Sequence, residues 1–82
     1  MKISIVIPAH NEEESLPLLL DRVAKLGDIH EVIVVDDGSS DRTSYVAAKL
    51  GAKVLRNAYR RGKGFALRKG FTKASGDIIV MM

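Results

Sequence analysis

Eighty-two residues suffice for one small domain but not for a nucleotide-binding sheet together with a separate substrate domain, so a single core is expected. Hydrophobic residues make up 46% and charged residues 28%, a balance that fills a core, solvates a surface and argues against disorder. The lack of cysteine excludes disulfides and thiolate metal sites, no run approaches the ~20 apolar residues of a membrane span, and the net charge of +3 is modest.

In chain order, Ile3, Ile5 and Ile7 alternate with Ser4 and Val6, which predicts a buried first strand ended by Pro8, with a loop from Ala9. Lys2 and Ile3 run into that proline too soon for a signal-peptide core. Ser15 is the expected N-cap of a first amphipathic helix, with Pro17 in its opening turn and Gly27 closing it. Glu31 to Val35 reads as a central strand that stops at Asp36-Asp37-Gly38. Ser40 or Asp41 is expected to cap a second helix closed by Gly51, and Lys53-Val54-Leu55 forms a weaker third strand. From Gly62 or Lys63, the spacing of Phe65, Ala66, Leu67, Gly70, Phe71 and Ala74 predicts a third helix with Gly76 as its left-handed cap. Ile78 to Met82 is a fourth strand.

About four strands linked by three helical crossovers define an α/β fold with an open, mostly parallel sheet. Ligands of such sheets bind beyond the carboxyl ends of the strands, which directs attention to the loops after strands one, two and four. The first of these loops carries no glycine-rich fingerprint, which weighs against a dinucleotide and a P-loop. Glu12, Glu13 and Glu14 there would repel phosphate, so Pro8, Ala9, His10 and Glu12 suit a base or a ribose. Asp36 and Asp37 extend the acceptor rim, since adjacent carboxylates at a strand end are costly unless something uses or neutralises them. Gly38, Ser40 and Asp41 read instead as turn and cap residues.

Basic residues crowd between Arg56 and Lys73. The opening of the third helix, Arg60-Arg61-Gly62-Lys63-Gly64, combines free backbone N–H groups with positive charge and is a candidate phosphate seat, with Lys63 balanced between that role and a solvated surface. Arg68, Lys69 and Lys73 read as a solvated basic face. Nucleic-acid binding is not expected, because aromatic residues are few and Phe65 and Phe71 fall on the core period.

The strings IVIPAHNEEESLP, EVIVVDDGSSDRT and GKGFALRKGFTKASGDIIVMM, in this order and spacing, resemble the start of family-2 glycosyltransferases, nearest the dolichyl- or polyprenyl-phosphate sugar transferases. The resemblance covers essentially the whole chain. It implies a GT-A fold that takes a sugar from a UDP- or GDP-sugar and inverts its anomeric centre, with a divalent cation, Mg or Mn, on the diphosphate. It places the base and ribose pocket at Pro8, His10 and Glu12 and a base or ribose contact at Asp37. His10 departs from the pattern, standing where many members carry tyrosine. Residues 1–82 then correspond to the amino-terminal nucleotide-sugar-binding half of the domain, cut before the family's Asp-x-Asp motif. No residue here is expected to be catalytic or to ligate the metal, and this stretch alone should be inactive.

The acceptors implied include polyprenyl phosphate, and the expected location is cytoplasmic, with peripheral attachment at the cytoplasmic membrane face as the variant. The competing reading is a non-catalytic nucleotide-binding or assembly module. Self-association is expected in either case, because an apolar strand without proline or lysine, Ile78 to Met82, would stand at a sheet edge.

Overall fold

The computed structural model describes all 82 residues. Strands β1 (Ile3–Ala9), β2 (Ile29–Asp37), β3 (Lys53–Asn57) and β4 (Ile78–Met81) alternate with helices α1 (Leu16–Ala24), α2 (Thr43–Lys49) and α3 (Lys63–Lys73). All strand pairs are parallel and the order is β3-β2-β1-β4. The predicted α/β class and element count therefore hold. The chain builds outward from β1 through β2 to β3 and then crosses back to β1's other side, so the order reverses between β1 and β4.

Each face of the sheet is apolar because β1 and β2 are covered on both sides. Ile5, Ile7 and Val34 meet Leu16, Leu20 and Val23 of α1 and Ala47 of α2. Val6, Ile33 and Val35 meet Ala66 of α3. Gly70 lets α3 approach closely, since a Cβ there would overlap the Val6 side chain.

Both central strands run further than their apolar patterns suggest. Pro8 does not end β1: it pairs in register with Val35, and Ala9 with Asp36. The ladder to β4 reaches only Val6 and Met81, so the N–H that Pro8 lacks falls beyond that pairing. Asp36 and Asp37 belong to β2, because β3 extends to Arg56 and Asn57 opposite them.

Three expected caps are corrected. Ser15 stands at the N-cap of α1 without a capping bond, its hydroxyl instead donating to the Glu12 carboxylate, because its own backbone is already helical (φ −89°, ψ −24°) and Pro17 offers no N–H to cap. Ser40 caps nothing. Asp41 serves α2 from outside, its Oδ1 accepting the Thr43 N–H at 2.9 Å. Gly76 is not left-handed: α3 passes into extended backbone at Ala74, and Gly76 is small because a Cβ would lie 2.6 Å from Ser4 Oγ and 2.8 Å from Lys2 O. Gly27 and Gly51 do take positive φ, at 73° and 92°.

Candidate functional site

An open cavity of about 270 Å³ lies at the carboxyl ends of β1 and β2, lined by Pro8, Ala9, His10, Glu12, Asp37, Arg60, Lys63 and Met82. Six of the seven candidates from the sequence meet here, drawn from the end of β1 and the loop after it, the end of β2 and the start of α3. Glu13 and Glu14 turn away into an adjoining hollow with Asn11, Ser15 and Asp41.

Asp36 is the candidate that the structure separates from the rest. Alternation along β2 sends its side chain to the opposite face from Asp37. It is fully buried, accepts the Ser39 N–H at 3.0 Å and the Ser44 hydroxyl, and pairs with Arg56 Nη1 at 2.6 Å. Burial acts to raise its pKa, but the bonds from Ser39 and Ser44 and the Arg56 charge outweigh it and hold the carboxyl below its usual range. Asp36 therefore organises the β2–α2 turn.

Asp37 is also nearly buried, and three donors converge on it. Oδ1 accepts Asn57 Nδ2 and the Arg61 N–H, each at 2.8 Å, and Oδ2 accepts the Gly62 N–H at 2.8 Å. Burial again opposes ionisation, and Asn57, the two backbone N–H groups and the Arg60 charge overcome it, so the pKa is lowered. A carboxylate with about four acceptor positions has roughly one left for a ligand. The main structural act of Asp37 is thus to clamp the loop between β3 and α3 over the strand ends. Gly38, at φ 68°, makes room for that loop, since a Cβ would overlap the Arg60 backbone N.

His10 is oriented by the same strand. Its Nδ1 lies 2.8 Å from the Asp37 carbonyl oxygen, which only accepts, so Nδ1 carries the proton. Asn11 Oδ1 accepts the Ser40 N–H at 2.9 Å, which turns its Nδ2 toward His10 Nε2 at 3.3 Å. The ring is fixed from both ends, and Asn11 takes φ 53° to do so. No sequence pattern pointed to Asn11.

Arg60 and Lys63 complete the lining of the cavity. Of the basic opening of the third helix, the sequence singled out Lys63 as the binding residue and offered Arg60 only as part of the phosphate seat, and nothing in it pointed to Met82. No side chain caps the first turn of α3 behind Gly62, at φ 101°, so its N–H groups remain available beside both cations. The cavity thus brings carboxylate acceptors (Glu12 and Asp37) and cationic donors (Arg60 and Lys63, with the first turn of α3) into one space. No group of three or more His, Asp or Glu side chains converges as a metal site requires, and two cations share the space, so these residues do not suit a divalent ion.

A parallel sheet with a polar cleft where its strand order reverses defines a Rossmann-like α/β protein. The model of "Glycosyl transferase family 2" matches residues 4–82, and the chain belongs to that family. It is 41% identical to a dolichol-phosphate mannosyltransferase of Pyrococcus furiosus over 100% of this chain and 25% of the relative. It is 39% identical to an undecaprenyl-phosphate 4-deoxy-4-formamido-L-arabinose transferase of Photorhabdus laumondii, over 99% of this chain and 28% of the relative. Among solved structures, glucosyl-3-phosphoglycerate synthase from Mycobacterium tuberculosis, in complex with Mn2+, UDP and glucosyl-3-phosphoglycerate, superposes with a TM-score of 0.86 at 38% identity. That match covers 99% of this chain and 32% of the synthase, and the same enzyme was also solved with Mg2+ and UDP. The chain thus spans about a quarter to a third of the length of these relatives.

Proposed function

We propose that residues 1–82 are the amino-terminal donor-binding half of a GT-A domain, which seats the nucleotide of a UDP- or GDP-sugar for transfer with inversion to an acceptor such as polyprenyl phosphate. The observation that carries this reading is the mixed lining of the cavity. Its carboxylates suit the ring N–H groups and ribose hydroxyls of a nucleoside, and its cations with the start of α3 suit the diphosphate. The names of the relatives support a lipid-phosphate acceptor, and the UDP bound by the synthase supports a uridine donor.

In this reading His10 and Glu12 line the base and ribose, Asp37 offers its remaining acceptor position, and Arg60 and Lys63 meet phosphate. The divalent cation that accompanies UDP in the synthase would take its ligands from outside these residues, so no catalytic step is assigned to them. A cytoplasmic setting at a membrane face fits a lipid acceptor, and no helix here is long and apolar enough to cross a membrane.

Calorimetric titration of the chain with UDP, GDP, ADP and NAD tests the reading. Weak binding of UDP or GDP is expected, ahead of the other two. Preference for ADP or NAD over both would overturn it.

The second reading, an assembly module, draws on β4. Its outer edge is unpaired, and Ile78 and Val80 are 40% and 43% exposed. Self-association through that edge is compatible with donor binding.

A further inference from the structure

From Arg42 to Gly76 the chain carries ten Lys and Arg side chains and no Asp or Glu. Lys53 and Arg56 find carboxylates across the sheet in Glu31 and Asp36, and Lys69 is held by Arg56 O and Asn57 Oδ1 at 3.1 and 2.8 Å. The other seven have no carboxylate partner.

The placement of these free cations is not uniform. Arg61, between the cavity residues Arg60 and Lys63 in the chain, lies between two rings, its guanidinium carbon 5.2 Å from the centre of Tyr59 and 4.1 Å from that of Phe65. Held there by cation–π attraction without an anion, it faces outward with Tyr59, which is 64% exposed. Along α3, positions three apart stand on adjacent turns, so Arg68 follows Phe65 and is followed by Phe71. Phe71 is 54% exposed, against the expectation that it would join the core: Ala66 and Gly70 take the sheet-facing positions, and Phe71 lies too far round the helix. The result is a surface of interleaved rings and guanidinium groups that begins beside the cavity and runs down α3.

An anionic bilayer surface matches it at two levels. Its headgroups supply negative charge spread over a plane, and the layer beneath accepts apolar rings. Tyr suits that boundary, with its ring in the apolar layer and its hydroxyl in water. A single-stranded nucleic acid fits less well, because stacking needs free ring faces and Arg61 already covers one face of both Tyr59 and Phe65. We propose that the Tyr59–Arg61 loop and the outward side of α3 rest on an anionic lipid surface, which brings the cavity beside the headgroup layer. This deepens the polyprenyl-phosphate reading, since an acceptor phosphate lies in that layer, but it does not need turnover to be tested.

The experiment is flotation of the chain with phosphatidylcholine vesicles, with and without phosphatidylglycerol, beside a UDP titration of every variant. The chain is expected to float with the anionic vesicles alone and to be released near 1 M salt, where the screening length is about 3 Å. Arg61→Glu and Arg68→Glu should each lower partitioning at least roughly fivefold, the effect of losing one basic side chain at an anionic surface. Phe71→Ser should also lower it while leaving the salt dependence intact. Lys25→Glu, on the far helix α1, should change neither partitioning nor UDP affinity. Equal flotation with neutral vesicles, no flotation, an equal loss from Lys25→Glu, or tighter binding to single-stranded RNA than to the vesicles would overturn the proposal. Failure to bind UDP with flotation intact would count against the donor reading alone.

Discussion

The neighbouring carboxylates Asp36 and Asp37 share a strand and a lowered pKa, yet their side chains leave β2 on opposite faces and serve different ends. Asp36→Asn puts an amide in place of a buried charge that pairs with Arg56, and hydrogen bonds to charged groups are worth about 1.5–3 kcal/mol. It should lower the free energy of unfolding by that order and leave nucleotide affinity nearly unchanged. Asp37→Asn brings an NH2 group toward the N–H groups of Arg61 or Gly62, and two donors cannot share a hydrogen bond. The loop carrying Arg60 should loosen, and UDP affinity should fall at least about tenfold, or 1.4 kcal/mol. Calorimetry and denaturation on both variants check the contrast. Equal losses of affinity would mean that Asp36, too, governs the site.

At the scale of the elements, two packing devices hold the helices and strands in place. Gly70 sets the distance of α3 from the sheet, and Gly70→Ala would push a methyl into Val6, an overpacking of about 1–3 kcal/mol. Urea denaturation should show that loss, and a neutral result would mean that the helix shifts freely. At the opposite end of the sheet, buried Glu31 of β2 ties together β1, β3 and the segment that leads into β4. It accepts Lys53 Nζ at 2.8 Å, Ser4 Oγ at 2.5 Å and the Ser75 N–H at 2.7 Å, while Ser4 Oγ also accepts the Gly76 N–H at 2.8 Å. Lys53 first, then Ser4 and Ser75, hold the Glu31 carboxyl far below the ordinary 4.5. A folded-state pKa below the unfolded one gives stability that is fully present above the unfolded value and lost as pH falls. Thermal stability should therefore decline below about pH 5, with Asp36 and Asp37 contributing in the same direction, and Glu31→Gln should flatten the slope. An unchanged slope in that variant would remove Glu31 from the account.

For the whole molecule, a chain this short without disulfides buries only about 60% of its unfolded surface and has little stability in reserve. Its apolar edge strand adds a route to association. The faces of β4 decide how to test this. Ile79 packs toward Val6 and Ile33 on the α3 side, so changing it would damage the core, whereas Val80 is exposed. Light scattering across a dilution series should show association in the native chain and its loss in Val80→Lys. A monomer at every concentration would show the edge to be inert.

The α/β class, the order of the seven elements and the place of the candidate cavity at the carboxyl ends of the first two strands were legible in the sequence. Strand and helix periods, glycine stops and the α/β ligand rule depend on local pattern, and so did the placing of Pro8, Ala9, His10, Glu12, Asp37 and Lys63 on one rim. The family resemblance followed from motif order in the same way. What the sequence left open was decided by contacts between residues distant in the chain. Asp36 looks like Asp37 until Arg56 and Ser44 are brought to its side of the sheet. Lys69 looks solvated until the ends of β3 and α3 meet, and Gly76 looks like a helix cap until Ser4 crowds it. Asn11 gains its role only when Ser40 arrives from the next loop. In each case the deciding partner is supplied by packing, where burial makes an unmet polar group costly and so selects which neighbours must come together. None of the buried side-chain polar atoms is left without a partner.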